Sequence, residues 1–118
     1  MQQPRSADAL LPLKPVVFQI LLTLAEGERH GYGIVQDIVA RSAARLRPRP
    51  NNLYRALDAL LDLGLIEETE PRSSTVGDER RRYYKITLFG RRVAVAKATR
   101  LETVVRDTRT VRLLKART

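Results

Sequence analysis

Residues Asn51 to Lys85 constrain this chain most, because a helical period gives way there to two strand-like runs. In Asn51-Asn52-Leu53-Tyr54-Arg55-Ala56-Leu57-Asp58-Ala59-Leu60-Leu61, the apolar residues Leu53, Ala56, Leu57, Leu60 and Leu61 recur at i, i+3, i+4, i+7 and i+8. That spacing lines one buried face of a helix. Asn52, Arg55, Ala59 and Asp62 fall on the opposite face, with Asn51 and Tyr54 near its start. Gly64 follows, a residue that accepts the positive φ of a helix end. Leu65-Ile66-Glu67-Glu68-Thr69-Glu70 then reads as a strand. Arg81-Arg82-Tyr83-Tyr84-Lys85-Ile86 reads as its return, and the loop between them ends in Arg80, Arg81 and Arg82.

A small amphipathic helix followed by a basic-tipped hairpin is the outline of a winged helix-turn-helix, so nucleic acid is the first partner to weigh. The flanking segments complete that outline. Pro15 suits a first helical turn, and Val16, Val17, Ile20, Leu21 and Leu24 mark the inner face of a helix ending near Ala25. Phe18 and Leu22 lie on its other side, which predicts burial against a second subunit. Glu26 to Gly31 reads as a glycine-bearing turn. A second helix follows, with Ile34, Val35, Ile38 and Val39 on one face, running to about Ala44. Arg45-Leu46-Arg47-Pro48-Arg49-Pro50 is a basic linker that its two prolines keep from being helical throughout. Thr87 is placed to cap a last helix reaching about Leu114, with Gly90 in its first turn. Ala94, Ala98, Leu101, Val104, Val105, Thr108 and Val111 form an apolar stripe along it. One small domain has no room to bury that stripe, so this helix is expected to pair with its own copy.

The expected fold is mainly α with a small β-hairpin wing: a winged helix-turn-helix plus a long C-terminal dimerisation helix. It divides into a flexible N-terminal arm over 1–9, a DNA-binding domain over 10–87 and the dimerisation helix over 88–118. Leu10, Leu11 and Leu13 follow the arm as an apolar segment that docks on something. The net charge of +9 and pI near 10.8 favour polyanionic partners. Arginine far outnumbers lysine, which suits bidentate contacts to phosphate or guanine, although genome base composition produces the same bias. The chain has no cysteine and one histidine, His30, which removes disulfides, thiolate chemistry and histidine-rich metal sites. No metal site, cofactor or membrane partner is expected. No apolar run reaches the ~20 residues of a bilayer span, and Met1 to Ser6 lacks the apolar core of a secretory signal. The expected location is cytoplasmic. No nucleophile sits near a base and no glycine-rich phosphate loop appears, so the chain does not read as an enzyme.

Five blocks in order resemble the PadR family of bacterial transcriptional regulators, in its short form with a single C-terminal helix. They are Leu21-Leu22-Thr23-Leu24-Ala25-Glu26-Gly27, His30-Gly31-Tyr32-Gly33-Ile34, Leu53-Tyr54-Arg55-Ala56-Leu57, Leu63-Gly64-Leu65-Ile66-Glu67, and Arg80-Arg81-Arg82-Tyr83-Tyr84-Lys85-Ile86-Thr87 with Gly90-Arg91. The resemblance spans roughly Leu11 to Val111. It implies a homodimeric repressor on an operator, released by a ligand or signal, with the third helix in the major groove and the wing along the backbone or minor groove. Where the family places Gly-Thr or Ser-Thr before the Leu-Tyr pair, this chain has Asn51-Asn52. Asparagine can cap a helix or hold adenine through N6 and N7. Family members hold aromatic or cationic compounds between protomers. This chain has no tryptophan and two phenylalanines, which does not suit an aromatic-stacking pocket.

The DNA-contacting set predicted from these readings is Arg47, Arg49, Asn51, Asn52, Tyr54, Arg55, Arg80, Arg81 and Arg82. The predicted dimer interface is Val17, Leu21, Leu101, Val104, Val105, Thr108 and Val111. Each has a plainer reading. The three wing arginines suit a solvated loop next to Asp78 and Glu79. Tyr54 suits a half-buried position at the core edge, and Arg55 a surface ion pair with Asp58 or Asp62. His30 and Tyr32 read as structural. One of Tyr83 and Tyr84 points inward and the other outward, where it faces DNA or the partner subunit. Glu67, Glu68 and Glu70 read as a charged strand edge that discourages pairing. The function expected is a sequence-specific, dimeric repressor of an inverted-repeat operator in duplex DNA, with release by a small-molecule effector. The alternative is a winged-helix docking module that binds no specific DNA, and single-stranded RNA is disfavoured by the scarcity of stacking aromatics.

Overall fold

The structure, a computed structural model, describes residues 7–11, 13–69 and 82–117. Helix α1 spans Pro15–Ala25, α2 Gly31–Arg41, α3 Pro50–Asp62, α4 Leu88–Arg106 and α5 Thr108–Lys115. Strands β1, Arg29–His30, β2, Ile66–Thr69, and β3, Tyr83–Ile86, form one antiparallel sheet in the order β1-β3-β2. A one-turn 3-10 helix, Ala7–Leu10, precedes them and packs on α4. The last part of the expected flexible arm is therefore helical, and the apolar segment after it docks on the chain's own core through Leu10, Leu11 and Leu13.

The apolar circumference of α1 has an explanation within one chain. α1 lies between α2, α4 and β3, and Phe18, Ile20, Leu21 and Leu24 are all buried there. No second subunit is needed to cover Phe18 or Leu21. The rest of the core comes from Ile34 and Ile38 of α2, Leu53, Leu57 and Leu60 of α3, Leu65 just before β2, Ile66, Tyr84 and Ile86 of the sheet, and Val93 and Ala94 of α4. Burial of side chains of this size stabilises the fold by roughly 1.5–3 kcal/mol each.

Helices α2 and α3 stop by the same device with different residues. After α3, Gly64 has φ +75, its N–H donates to Leu61 O at 3.1 Å, and Leu65 N–H donates to Leu60 O at 2.9 Å. This is a Schellman turn with glycine at the left-handed position and a buried leucine after it. After α2, Ala43 N–H donates to Ala40 O and Ala44 N–H to Val39 O at 2.8 Å, the same pattern. Here Ala43 (φ 53) and Ala44 (φ 65) take the left-handed conformation despite their Cβ atoms. The helix expected to reach Ala44 ends at Arg41 for that reason.

The turn expected between the first two helices is partly a strand. Arg29 and His30 pair with Tyr84 and Tyr83, so the hairpin is a three-stranded sheet. A two-residue strand is too short for period-2 alternation to be seen. β2 faces β3 with Glu67 opposite Lys85 and Glu68 opposite Tyr84.

Thr87 does cap α4. Its Oγ1 accepts from Gly90 N–H at 2.9 Å and donates to Gly64 O at 2.7 Å, while its own N–H donates to Leu65 O at 3.0 Å. Gly90 is where α4 crosses the α3–β2 junction: a Cβ there would sit 2.0 Å from Leu65 O. The last helix is not continuous. Asp107 turns out of helical geometry at ψ 135, and its Oδ1 accepts from Arg109 N–H at 2.8 Å, capping α5. An aspartate that caps competes with one that continues a helix. The expected single helix over 88–118 is therefore two.

Candidate nucleic-acid interface

α3 buries Leu53, Leu57 and Leu60 and exposes Asn51, Asn52, Tyr54, Arg55, Asp58, Ala59 and Asp62. Pro50 is its first residue and Arg49 its N-cap, with no side-chain cap. Asn51 and Asn52 thus occupy the first turn and do not cap the helix, as asparagine in that place allowed. Arg55 forms no ion pair with Asp58 or Asp62 among the described residues. The linker before α3 is extended, with Pro48 buried while Arg45, Arg47 and Arg49 are exposed. The proline anchors the linker and the arginines on either side of it point outward. Charge therefore runs along α3 from basic at its start to acidic at Asp58 and Asp62.

Tyr54 is half-exposed, and its ring lies over Gly31 at the start of α2. His30, the residue before Gly31, caps α2 by accepting from Gly33 N–H at Nδ1, 3.1 Å away. Its ring stacks parallel to Tyr32 at 6.5 Å and meets Tyr83 edge-on at 5.3 Å. His30 is structural, and the helix-turn-helix and the sheet meet at it.

Of the wing arginines, Arg82 is described and Arg80 and Arg81 lie outside the described residues. Arg82 is exposed and pairs with Glu68 at 3.4 Å, while Lys85 pairs with Glu67 at 3.2 Å. Glu67 and Lys85 thus face each other directly across the ladder, while Glu68 reaches Arg82 just before β3, and such pairs are worth ~0–1 kcal/mol at this exposure. Tyr84 is the inward ring of the tyrosine pair. Burial pushes its phenol up, Glu68 adds to this, and a hydrogen bond from Arg82 opposes it. Tyr83 is half-buried against His30.

A family profile described as the transcriptional regulator PadR-like family matches residues 20–96, from α1 into α4. The chain belongs to this family. Among solved structures, a transcriptional regulator from Clostridium thermocellum is 28% identical over 76% of this chain and 85% of that one, with a TM-score of 0.65. A PadR family regulator from Clostridium difficile is 21% identical over 78% of this chain and 95% of that one, at TM-score 0.65. Bacillus subtilis PadR, solved in complex with operator DNA, is 22% identical over 75% of this chain and 47% of that one, at TM-score 0.60. The last two share the fold. No curated protein sequence matches the chain. The family and these neighbours are regulators of transcription, not enzymes. No helix among the described residues is long and apolar enough to cross a membrane.

In this PadR-like chain the residues expected at a dimer interface divide. Leu21 is fully buried in its own core and cannot meet a partner. Val17 and Val111 are half-buried. Leu101, Val104, Val105 and Thr108 are exposed, and so are Leu113 and Leu114, which the expected stripe did not include. The C-terminal segment, residues 88–118, is basic as a whole. Nine of the 22 cationic side chains and two of the 13 acidic ones lie in residues 88–118, so it carries +7 of the net +9.

One further cluster escaped the sequence reading. Asp37 Oδ2 accepts from Arg41 Nε and from buried Thr23 Oγ1, at 2.8 and 2.7 Å, and Arg41 also donates to Gln19 and Thr23. The Arg41 bond, then the Thr23 bond, hold the Asp37 carboxyl below its usual range. The i, i+4 spacing of Asp37 and Arg41 on α2 was the available signal. It locks α2 to α1 and so sets the base on which α3 stands.

Proposed function

We propose that this PadR-like chain is a homodimeric repressor that reads an inverted-repeat operator in duplex DNA in the cytoplasm and leaves it when a small-molecule effector binds. The observation that carries the reading is the uncovered start of α3: Asn51, Asn52, Tyr54 and Arg55 project from a helix anchored by Leu53 and Leu57, beside exposed Arg45, Arg47 and Arg49. Amide side chains suit adenine edges, and arginine suits guanine or phosphate. Asp58 and Asp62 repel phosphates, so α3 enters the major groove N-terminus first, with the linker arginines on the flanking backbone. Arg82, and Arg80 and Arg81 with it, belong to the backbone contacts of the wing.

Dimerisation rests on the exposed face of Leu101, Val104, Val105, Thr108, Leu113 and Leu114. A two-fold dimer presents two copies of α3, hence an inverted repeat with half-site centres about 10 bp apart. Phe18 is buried in the core and Phe89 packs against it, so an effector is recognised by something other than phenylalanine stacking.

Selection of duplexes from a random pool, followed by footprinting, tests this. An inverted repeat should emerge. Asn52→Ala should relax preference at one base pair per half-site by roughly 1–3 kcal/mol. Arg47→Ala with Arg49→Ala should weaken operator and random DNA alike, lowering the slope of log K against log salt by about 0.9 per lost contact. Failure to enrich any sequence would move the chain to the docking-module reading.

A further inference from the structure

Gly31 lies one residue after β1, at the first position of α2, and is buried. A Cβ built on it would sit 2.9 Å from the Tyr54 hydroxyl oxygen, 3.3 Å from Cζ and 3.4 Å from Cε1. Tyr54 comes from α3, more than twenty residues later, and is the one large aromatic side chain on the exposed part of that helix. Its phenol is half-exposed, and its hydroxyl makes no hydrogen bond among the described residues. The ring end, hydroxyl included, therefore rests in the space that a side chain at position 31 would occupy.

We propose that Gly31 is a positioning residue for DNA binding: its missing side chain is the seat that fixes the Tyr54 hydroxyl against the start of α2, at the height where it meets a phosphate oxygen. This deepens the DNA-binding reading and rests on it. A phenol free to rotate about two torsions must be ordered on binding, whereas a seated one is already placed, so the seat raises affinity without touching DNA. The seat is also tied to the wing. His30 is joined to Gly31 by a peptide bond, pairs with Tyr83 in the sheet and packs its ring on Tyr83. The His30-Gly31 dipeptide thus joins the two elements that approach DNA.

A cycle of Gly31→Ala, Tyr54→Phe and the double variant tests the proposal on the full chain. The backbone at Gly31 is helical and not left-handed, so alanine itself is tolerated there. Tyr54→Phe removes one hydroxyl contact and should weaken operator binding about fivefold. Gly31→Ala should weaken it at least as much, by displacing the ring end. In the Tyr54→Phe background the closest contact is gone, so Gly31→Ala should have almost no further effect. A factor for Gly31→Ala that is the same in both backgrounds overturns the proposal, as does a Gly31→Ala variant that binds like wild type. A purely structural role would instead lower unfolding stability equally in both backgrounds. The free protein supplies a second readout: with 3-fluorotyrosine incorporated, the resonance lost in Tyr54→Phe should shift in Gly31→Ala while that of buried Tyr84 stays. An unmoved Tyr54 resonance removes the seat. If the resonance shifts but wild type binds no duplex, the seat stands as geometry, the DNA-binding reading falls, and the positioning role falls with it.

Discussion

Replacing Gly90 by alanine should be the most damaging single-methyl change in this molecule. A Cβ at Gly90 would lie 2.0 Å from Leu65 O, 2.8 Å from Ile86 Cγ1 and 3.0 Å from the Leu65 carbonyl carbon. Two of those atoms are backbone, in a turn held by the Leu65 N–H to Leu60 O bond, so they cannot swing aside. α4 must move outward instead. Moving it strains the two bonds that clamp Thr87 to the α3–β2 junction, to Leu65 O at 3.0 Å and to Gly64 O at 2.7 Å. Each is worth about 1 kcal/mol, and forced repacking around Val93 and Ile86 adds about 1–3 kcal/mol. Alanine returns at most about 1 kcal/mol of helix propensity. The expected net loss is about 2–4 kcal/mol in urea unfolding followed by far-UV circular dichroism at one fixed protein concentration. Gly33→Ala is the control, because its nearest neighbour is the His30 ring at an ordinary 3.5 Å, and it should be neutral or slightly stabilising. A Gly90→Ala loss below about 1 kcal/mol, or one matched by Gly33→Ala, would refute the reasoning.

Three other outcomes are expected. Ala43→Gly should stabilise the protein by about 0.5–1 kcal/mol by relieving a left-handed alanine in the turn after α2, less the extra chain entropy of glycine, and a loss of stability would show the turn to be unstrained. Asp37→Asn should cost about 1–2 kcal/mol at neutral pH. Because the Asp37 carboxyl is held below 3.8 in the folded state, its contribution is present above that pH and is lost as pH falls through the folded value, so the gap between variant and wild type should close in acid and a constant gap would exclude this carboxylate as the source. Leu101→Asp with Val104→Asp should dissociate the dimer in sedimentation equilibrium. Since residues 88–118 carry +7 per chain, added salt should tighten the wild-type dimer while weakening DNA binding, and a dimer that loosens with salt would place the contact elsewhere.

The sequence by itself determined the elements whose signals are local. The 3.6-residue period of Leu53, Leu57 and Leu60, the proline opening of α1, the cap at Thr87 and the left-handed Gly64 all act within one turn of chain, so each was legible without a fold. The exposed candidates Asn51, Asn52, Tyr54 and Arg55 were legible for the same reason, as the face opposite a clear apolar stripe. Only the tertiary structure decided matters that depend on what lies across space. Phe18 and Leu21 read as a surface for a second subunit until α2, α4 and β3 were seen to close around them. Arg29 and His30 became a strand because β3 offered an edge, not through any β pattern of their own. Asp107 was equally able to continue a helix or cap a new one, and its residue type alone does not choose. Gly31 read as the end of a turn and Gly90 as part of a first helical turn, and neither reading showed what the missing side chain makes room for. One makes room for a tyrosine ring and the other for a carbonyl oxygen, each brought there from more than twenty residues away in the chain.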